Sequence, residues 1–184
     1  MTVYLITKNK GKIAAAKSVF DKFQIELKNV EQEFLEIQAD SSIEIAKFTA
    51  IQASNELKLP VIREDHSLYI HSLGFPGPYT AFIEKKLPPE QLLKLLDLSE
   101  DRSGHFEIAA AYAASDGVVK EFVYQVPIHF KKEETINDPR GGWNGLLCLE
   151  GESRAFTEYP EEERLNVWNK NYYKIAEYLS GLKG

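Results

Sequence analysis

Cysteine is almost absent from this chain of 184 residues, in which Cys148 stands alone. A single cysteine excludes an intrachain disulfide and a cysteine-based metal knuckle, and it is typical of a reducing compartment. Cys148 itself lies in the apolar segment LLCLE, which predicts a small buried side chain rather than a nucleophile. The start of the chain has no basic segment before an apolar run, and no stretch approaches the roughly 18 apolar residues that a membrane helix requires. These features predict a cytoplasmic protein that has no membrane segment.

Several familiar motifs are missing as well. The sequence has no GxxxxGK[ST] P-loop, no GxGxxG fingerprint, no HExxH zinc motif and no GxSxG nucleophile elbow. The histidines show no zinc-ligand spacing, and none is assigned to a metal: they are His66, His71, His105 and His129. The length and the absence of a linker predict a single domain over residues 1–184.

Charge is distributed unevenly along the chain. Lysines and arginines number 22 against 28 acidic residues, a net charge of −6 that argues against binding to a nucleic-acid polymer. Residues 1–30 carry six lysines and two acids, whereas residues 31–65 carry eight acids and three basic residues. A small polyanion bound through a divalent cation requires such a basic loop beside acidic side chains. Two solvated faces are the alternative interpretation.

Periodicity predicts alternating strands and helices in the first part of the chain. The predicted order is a strand at 2–7, the polar loop KNKG, a helix with Ile13, Ala16 and Val19 on its apolar face, a strand at 25–30, a helix from Ser41 to about Leu57, and short strands at 61–65 and 68–70. Ser41 and Glu44 have capping-box spacing, which indicates where the second helix begins. Glu64 and Asp65 are then expected at a strand end.

The second part of the chain contains a hairpin signal. Two strands, 105–115 and 118–130, are predicted to be joined by Asp116 and Gly117 in a type I′ turn. The other predicted elements are a loop at 74–79, a helix opening at Pro88 and Pro89, a loop at 137–145, a short strand in LLCLE and one closing helix after Pro160. The pattern predicts an α/β domain with a mixed sheet and a cleft at strand ends.

Two groups of polar residues are candidates for chemistry. Thr7, Asn9 and Lys12 lie where a strand gives way to a helix, and their donors can bind phosphate oxygens at a helix N-terminus, although an ordinary polar turn has the same composition. Carboxylates at Glu36, Glu64 and Asp65 can converge on Mg²⁺ and activate a water molecule, although single acids usually decorate a surface.

Taken together, these segments resemble the Ham1 family of inosine triphosphate pyrophosphatases over nearly the whole chain. TKNKGK resembles the family's TGNxxK loop, FLEIQ with IEIAKFTAIQA its acidic segment and helix, and VIREDHSLYIHSLGFPGPYTAFIEKKLPPEQLLKLL its EDxxL segment, loop and helix. GGWNGLL corresponds to FGWDPxF, and ERLNVWNK falls where the family has KNxxSHR.

The resemblance implies an elongated mixed sheet flanked by helices, two lobes with a nucleotide cleft between them, and a homodimer. It implies Mg²⁺-dependent hydrolysis of non-canonical nucleoside triphosphates such as ITP, dITP or XTP, between the α- and β-phosphates. Carried over by position, Thr7, Asn9 and Lys12 hold phosphates, Glu36 and Asp65 bind Mg²⁺ or activate water, and Glu64 supports them. The remaining substrate contacts that it implies are Trp143, Asn144, Arg164, Trp168, Asn169 and Lys170.

Departures from the family pattern fall on the substrate contacts. Thr49 occupies the position of a phosphate-binding lysine in the family, and Ala81 occupies a position where some members carry a second such lysine. Lys8 replaces the glycine of the TGNxxK loop. Lys47 is a partial substitute for the lysine missing at position 49, although it lies on another face of the helix. The base-reading positions have changed further: Gly141 stands at the stacking phenylalanine, Asn144 at the base-contacting aspartate, and Trp168, Asn169 and Lys170 at the SHR triplet. Trp168 is a candidate replacement stacking surface, and packing of Trp168 and Trp143 in the core is the alternative.

The leading hypothesis is therefore a nucleoside triphosphate pyrophosphatase with Mg²⁺ and an altered base preference. A nucleotide-binding or scaffold protein of the same fold, in which catalysis is lost or redirected, is the alternative. Hydrolysis of a phosphorylated metabolite that has no base is a third interpretation, because it accommodates the changed base contacts.

Overall fold

A computed structural model describes residues 1–133 and 142–181 of the chain. The helices are α1 (Lys10–Phe20), α2 (Ser42–Leu57), α3 (Thr80–Glu84), α4 (Pro89–Leu96), α5 (Glu161–Trp168) and α6 (Lys170–Gly181). The strands are β1 (Thr2–Ile6), β2 (Glu26–Val30), β3 (Val61–Ile70), β4 (Phe75–Gly77), β5 (Ser103–Ala113), β6 (Val119–Phe130) and β7 (Leu147–Leu149). Short 3₁₀ turns cover Asp21–Phe23 and Phe156–Glu158.

The strands form one mixed sheet in the order β2-β1-β3-β5-β6-β7, and β4 adds to β3 outside that order. β1 pairs in parallel with β2 and with β3, where Leu5 lies opposite Ile62. β4 and β7 pair antiparallel with β3 and β6. The predicted α/β class with a mixed sheet is confirmed. The register of β1 and β3 also brings Thr7, just beyond β1, alongside the central residues of β3.

The chain divides into two compact units. A single domain over residues 1–184 stays a prediction. The first unit comprises Met1–Asp65, Ile108–Tyr124 and the described residues of Leu165–Gly184. The second comprises His66–Glu107 and the described residues of Gln125–Arg164. In the first unit a buried cluster joins β1, α1 and α6; its largest side chains include Leu5, Phe20, Ile62 and Tyr172.

Helix α2 confirms the start and end predicted for it. Ser41 has the extended backbone of an N-cap, and its hydroxyl donates to the Glu44 carboxylate at 3.0 Å instead of accepting from the helix backbone. Lys58 ends the helix in the left-handed conformation, with φ of 59°. Alanines 46, 50 and 53 on one face are fully buried, so this helix lies close against the sheet.

The prediction that Glu64 and Asp65 lie at a strand end is wrong. β3 is continuous from Val61 to Ile70, and it joins the two strands that were predicted separately. Polar residues persist inside the strand because tertiary partners satisfy them: Tyr172 donates to the Glu64 carboxylate, and Ser42 donates to that of Asp65. Neither partner is adjacent in sequence.

The β5–β6 hairpin is confirmed, but its predicted type I′ turn is wrong. The Gly117 N–H donates to the Ala114 carbonyl at 3.1 Å, which makes Ser115 and Asp116 the central residues of the turn. Neither has a positive φ, whereas Gly117 has φ of 92°. Three residues therefore connect the strands, with glycine at the left-handed position that follows the turn.

Two other predictions also need correction. The segment 74–79 is not entirely loop, because Phe75–Gly77 forms β4; its proline is tolerated on a short strand that pairs on one side with β3. The closing helix is two helices, α5 and α6, which are separated at Asn169. The Asn169 carbonyl accepts from the Tyr173 N–H, so that a new helix starts there.

The second unit contains the single cysteine and a hydrogen-bonded group of polar side chains. Cys148 is 1% exposed, and burial raises the pKa of its thiol, which confirms its interpretation as a packing residue. Hydrogen bonds connect, in series, the side chains of Asp101, Ser103, His71 and His105. His71 Nε2 lies 2.9 Å from His105 Nδ1. Within the described residues, every helix is too short or too polar to cross a membrane.

The histidine pair predicts a loss of stability in acid. Burial lowers the pKa of His105, and the neighbouring His71 lowers it further. The unfolded chain therefore takes up the proton first, and the free energy of unfolding falls as the pH drops below about 6.5 toward the lower pKa of the folded state. We expect the stability difference between the natural protein and His105→Gln to shrink over that interval in denaturant titrations. His129→Gln, which lies outside the pair, is the control; a His105→Gln difference that is independent of pH contradicts the prediction.

Candidate active site

A cavity of about 490 Å³ lies in the first unit, where β1 ends. It brings together the loop after β1, the irregular segment after β2, and residues of α2 and β3. Its lining consists of Ile6, Thr7, Lys8, Asn9, Lys12, Gln32, Glu33, Phe34, Glu36, Thr49 and Arg63. Four residues predicted from the sequence, Thr7, Asn9, Lys12 and Glu36, are thus brought to one cavity.

The loop after β1 is held by its own side chains. The Asn9 side-chain oxygen caps α1 by accepting from the backbone N–H groups of Gly11 (2.9 Å) and Lys12 (3.3 Å). The Thr7 hydroxyl accepts from the Asn9 N–H at 3.1 Å. Asn9 therefore has a structural function as well, and its amide N–H donors are not used by the cap. The N-terminus of α1 faces a cavity with hydroxyl, amide and ammonium groups around it.

Lys12 is the cation at the centre of the local charges. Its Nζ donates to the main-chain carbonyl of Glu64 at 2.8 Å. Burial lowers the pKa of this ammonium, Arg63 lowers it too, and the carboxylates of Glu64, Asp65 and Glu36 raise it. The pKa of Lys12 lies below the ordinary lysine value because burial is the largest of these effects, and the three carboxylates partly offset it in favour of the charged form that a phosphate ligand requires.

Glu64 is a buried carboxylate of β3. Only 2% of it is exposed, and its Oε2 accepts a hydrogen bond of 2.9 Å from the hydroxyl of the fully buried Tyr172. Consecutive strand residues point to opposite faces, so Glu64 and Asp65 project away from each other. A metal-ligating role for the Glu64 carboxylate stays a prediction, whereas its main-chain oxygen supports Lys12.

Asp65 faces the opposite side of β3, toward the start of α2. Its Oδ2 accepts from the Ser42 hydroxyl at 3.1 Å, and the carboxylate is half-buried. Ser42 is fully buried at the first position of α2, so it fixes one oxygen of the carboxylate. Among the described residues Asp65 is not part of the cavity lining.

Arg63 is the residue of this cavity that the sequence analysis missed. Its side chain is 16% exposed; Nη1 donates to the Ile6 carbonyl at 3.0 Å, and Nη2 pairs closely with Glu36 Oε1. A signal was present, because Arg63 is the sole lysine or arginine between positions 59 and 84. It was masked by the two acids that follow it directly.

The donor chemistry of Glu36 and Asp65 fits Mg²⁺. In residues 1–133 and 142–181 no group of three or more His, Cys, Asp or Glu side chains is placed to hold a metal ion. Mg²⁺ usually takes one or two carboxylates and completes its shell with substrate phosphates and water. Two oxygen-donor carboxylates near one ammonium, without Glu64, are consistent with that smaller set.

The lysine missing at position 49 is not replaced by Lys47. Thr49 lines the cavity and is buried, and its hydroxyl is 3.4 Å from the Leu35 carbonyl. Lys47 instead pairs with Glu121 of β6 at 2.6 Å. Its position two residues earlier on α2 turns it toward the sheet edge.

The positions expected to contact the base are dispersed. Trp143 belongs to the second unit and is fully buried; its backbone N–H donates to Glu84 and its indole N–H to the Leu87 carbonyl. Trp143 therefore exposes no face to a base in this arrangement, and its role in substrate binding stays a prediction. Asn144 and Arg164 are partly exposed residues of the same unit, and Gly141 lies outside the described residues.

Trp168, Asn169 and Lys170 lie in the first unit at the break between α5 and α6. Trp168 packs against the buried cluster around Phe20 and Tyr172, as the core alternative anticipated. Asn169 is 3% exposed, and the Lys170 ammonium lies over the ring of Tyr124 at 5.4 Å from its centre. The cavity lining contains none of these three among the described residues, so their contact with a base stays a prediction.

The chain is similar to known proteins over nearly its whole length. The sequence model of the Ham1 family matches residues 3–170. A dITP/XTP pyrophosphatase of Ignicoccus hospitalis is 36% identical over 97% of each chain, and one of Methanosarcina acetivorans is 35% identical over 90% of this chain and 89% of its own. The Staphylococcus aureus Ham1 protein has the same fold, with a TM-score of 0.81 at 19% identity over 98% of this chain and 99% of that one. This chain belongs to the Ham1 family.

Proposed function

We propose that this protein is a Mg²⁺-dependent nucleoside triphosphate pyrophosphohydrolase. It cleaves non-canonical nucleotides of the dITP and XTP type between the α- and β-phosphates and gives a monophosphate and pyrophosphate. The observation that carries this proposal is the cavity where Lys12, the capped N-terminus of α1 and the Glu36 carboxylate meet. Support also comes from the relatives, which are dITP/XTP pyrophosphatases at 29–36% identity.

In this proposal some residues of the site bind phosphate, and another accepts a proton from the attacking water. The Lys12 ammonium, the Thr7 hydroxyl and the Asn9 amide bind phosphate oxygens, and Lys12 offsets the charge that develops on the leaving pyrophosphate. Asp65, which Ser42 orients at 3.1 Å, accepts the proton of the attacking water while the bond from phosphorus to the leaving oxygen breaks. Glu36 and Asp65 would hold Mg²⁺, which supplies Lewis-acid polarisation of the phosphate oxygens when bound. Arg164 is proposed as a further phosphate contact.

Two observations favour the alternative of a nucleotide-binding protein that has lost or redirected its catalysis. Glu36 is paired with Arg63, and a threonine lines the cavity where the family has a phosphate lysine. The two functions differ in whether bound nucleotide is consumed.

Pyrophosphate release decides between them. The assay covers ITP, dITP, XTP, the common ribo- and deoxyribonucleoside triphosphates, and inorganic tripolyphosphate, each with Mg²⁺ and with EDTA. The proposal expects Mg²⁺-dependent release that is fastest with an altered purine. If every nucleotide stays intact while some raise the melting temperature, the binding protein is the correct function. Turnover of tripolyphosphate alone favours a substrate that has no base.

A homodimer and a cytoplasmic location are the remaining parts of the proposal. Sedimentation at several protein concentrations tests the first, with a mass of twice 20.9 kDa expected.

A further inference from the structure

Arg63 contacts both the start of the phosphate-binding loop and Glu36, which is a proposed metal ligand. Its Nη1 is anchored on the carbonyl of Ile6, the residue directly before the loop that begins with Thr7. Its Nη2 is bound to Glu36, and its Nε is buried without a hydrogen-bond partner among the described residues. An arginine with a buried unsatisfied N–H and one exchangeable partner is incompletely used in this arrangement.

Alternation along β3 explains why this guanidinium faces the cavity. Residues 63 and 65 share one face of the strand, and Glu64 between them faces Tyr172 on the other. Arg63 lines the cavity together with two other cations of the described residues, Lys8 and Lys12. Lys8 is largely exposed and pairs with Glu33 at 2.5 Å. Arg63 is therefore more buried than Lys8, and it is the cation that can assist Lys12 in binding a highly charged triphosphate.

Glu36 is the partner that can leave. Its side chain is 56% exposed, on a segment without regular structure between β2 and α2, whereas Arg63 is fixed in a strand. A phosphate oxygen can accept from the same Nη2 donor that now holds the carboxylate, because a guanidinium binds both phosphate and carboxylate oxygens. Exchange of one for the other needs movement of Glu36 alone.

We propose that Arg63 is a substrate-binding residue, which binds a phosphate of the nucleotide in exchange for Glu36. Arg63 thereby supplies the cation that is missing at Thr49. The exchange also releases the Glu36 carboxylate at the moment when phosphate enters, so that Glu36 becomes available as a metal ligand only in the presence of substrate. This inference rests on the proposed function, because it names a further residue of the same site.

Calorimetric binding of inorganic tripolyphosphate in EDTA tests the exchange without metal and without turnover. We expect Arg63→Met to weaken tripolyphosphate binding by about 10-fold or more, since a charge-assisted contact is lost, and Arg63→Lys to weaken it less. Lys47→Met is the matched control, because Lys47 also forms an ion pair but with Glu121. It is expected to bind tripolyphosphate as the natural protein does. Circular dichroism measures whether each variant is folded. If Arg63→Met does not fold, the comparison of Arg63→Lys with the natural protein tests the proposal.

Glu36→Gln gives a result of opposite sign. Without its carboxylate partner the guanidinium is open to phosphate, so affinity for tripolyphosphate in EDTA is expected to rise by about 3- to 10-fold. The gain must vanish in Arg63→Met/Glu36→Gln. A gain that persists in the double variant is general electrostatic relief and overturns the exchange.

The outcomes separate this inference from the proposed function. Unchanged tripolyphosphate binding in Arg63→Met and Arg63→Lys overturns the role of Arg63 even if pyrophosphate release is robust. Absence of binding by the natural protein overturns it as well. If binding depends on Arg63 but no nucleotide releases pyrophosphate in Mg²⁺, the inference stands and the pyrophosphatase assignment fails.

Discussion

Asp65→Asn is expected to lower the rate of Mg²⁺-dependent pyrophosphate release by about 10²–10⁴-fold, the range of a lost general base. The asparagine oxygen can still accept from the Ser42 hydroxyl, which now lies 3.1 Å from Asp65 Oδ2, so the local fold is preserved. An amide cannot take a proton from water at neutral pH, and it is a poorer ligand for Mg²⁺. Initial rates at saturating substrate measure the loss.

Asp116→Asn is the matched control for this substitution. Asp116 also belongs to the first unit and also accepts one hydrogen bond, from the Val118 N–H at 3.1 Å, but it lies in the β5–β6 turn. Its pyrophosphate release is expected to equal that of the natural protein. If Asp65→Asn retains near-natural turnover in Mg²⁺ while Glu36→Gln does not, Glu36 is the base and Asp65 has a structural role.

Elements defined by local chemistry could be predicted from the sequence. The start of α2 at Ser42 followed from the Ser41 and Glu44 spacing, and α4 followed from paired prolines before a leucine-rich stripe. In both cases the residues that decide the structure lie within one or two turns of each other. The family resemblance then gave the fold class, which pattern alone left as a mixed sheet with a cleft.

Features that depend on distant partners could not be predicted. The continuity of β3 through Glu64 and Asp65 depends on Tyr172 and Ser42, which lie 108 and 23 residues away in sequence. The position of Trp143 likewise depends on Glu84, 59 residues earlier. Sequence patterns record whether a residue is polar, but they do not record which group will satisfy it.

The same limit applies within the candidate site. Thr7, Asn9 and Lys12 were candidates because hydroxyl, amide and ammonium groups at a strand-to-helix junction can bind phosphate, although an ordinary polar turn has the same composition. Arg63 was overlooked since its neighbours Glu64 and Asp65 gave the segment an acidic appearance. The position of the Arg63 side chain depends on its contacts with Glu36 and the Ile6 carbonyl, and these contacts require the pairing of β1 with β3.

The second large effect is expected from Tyr172, which links the core of the first unit to the site. Its ring is fully buried and meets Phe20 edge to face at 6.1 Å between centres. Its hydroxyl donates to Glu64, and burial raises its pKa well above the ordinary tyrosine value, so it stays a donor at neutral pH. Tyr172→Ala is therefore expected to lower the free energy of unfolding by about 3–5 kcal/mol, the range for an aromatic core side chain.

Tyr172→Phe separates the hydroxyl from the ring. It keeps the packing but removes the donor to a carboxylate that is 2% exposed, so the expected loss is about 1–3 kcal/mol in denaturant titrations. Tyr173→Phe is the control, because the adjacent hydroxyl accepts from Lys22 at 2.7 Å on the surface, where a change within about 0.5 kcal/mol is typical. Equal losses in the two phenylalanine variants would show that the Glu64 hydrogen bond adds nothing to stability. A larger loss in Tyr172→Phe, with a higher KM for the nucleotide, fits a buried carboxylate that positions the main-chain oxygen on which Lys12 rests.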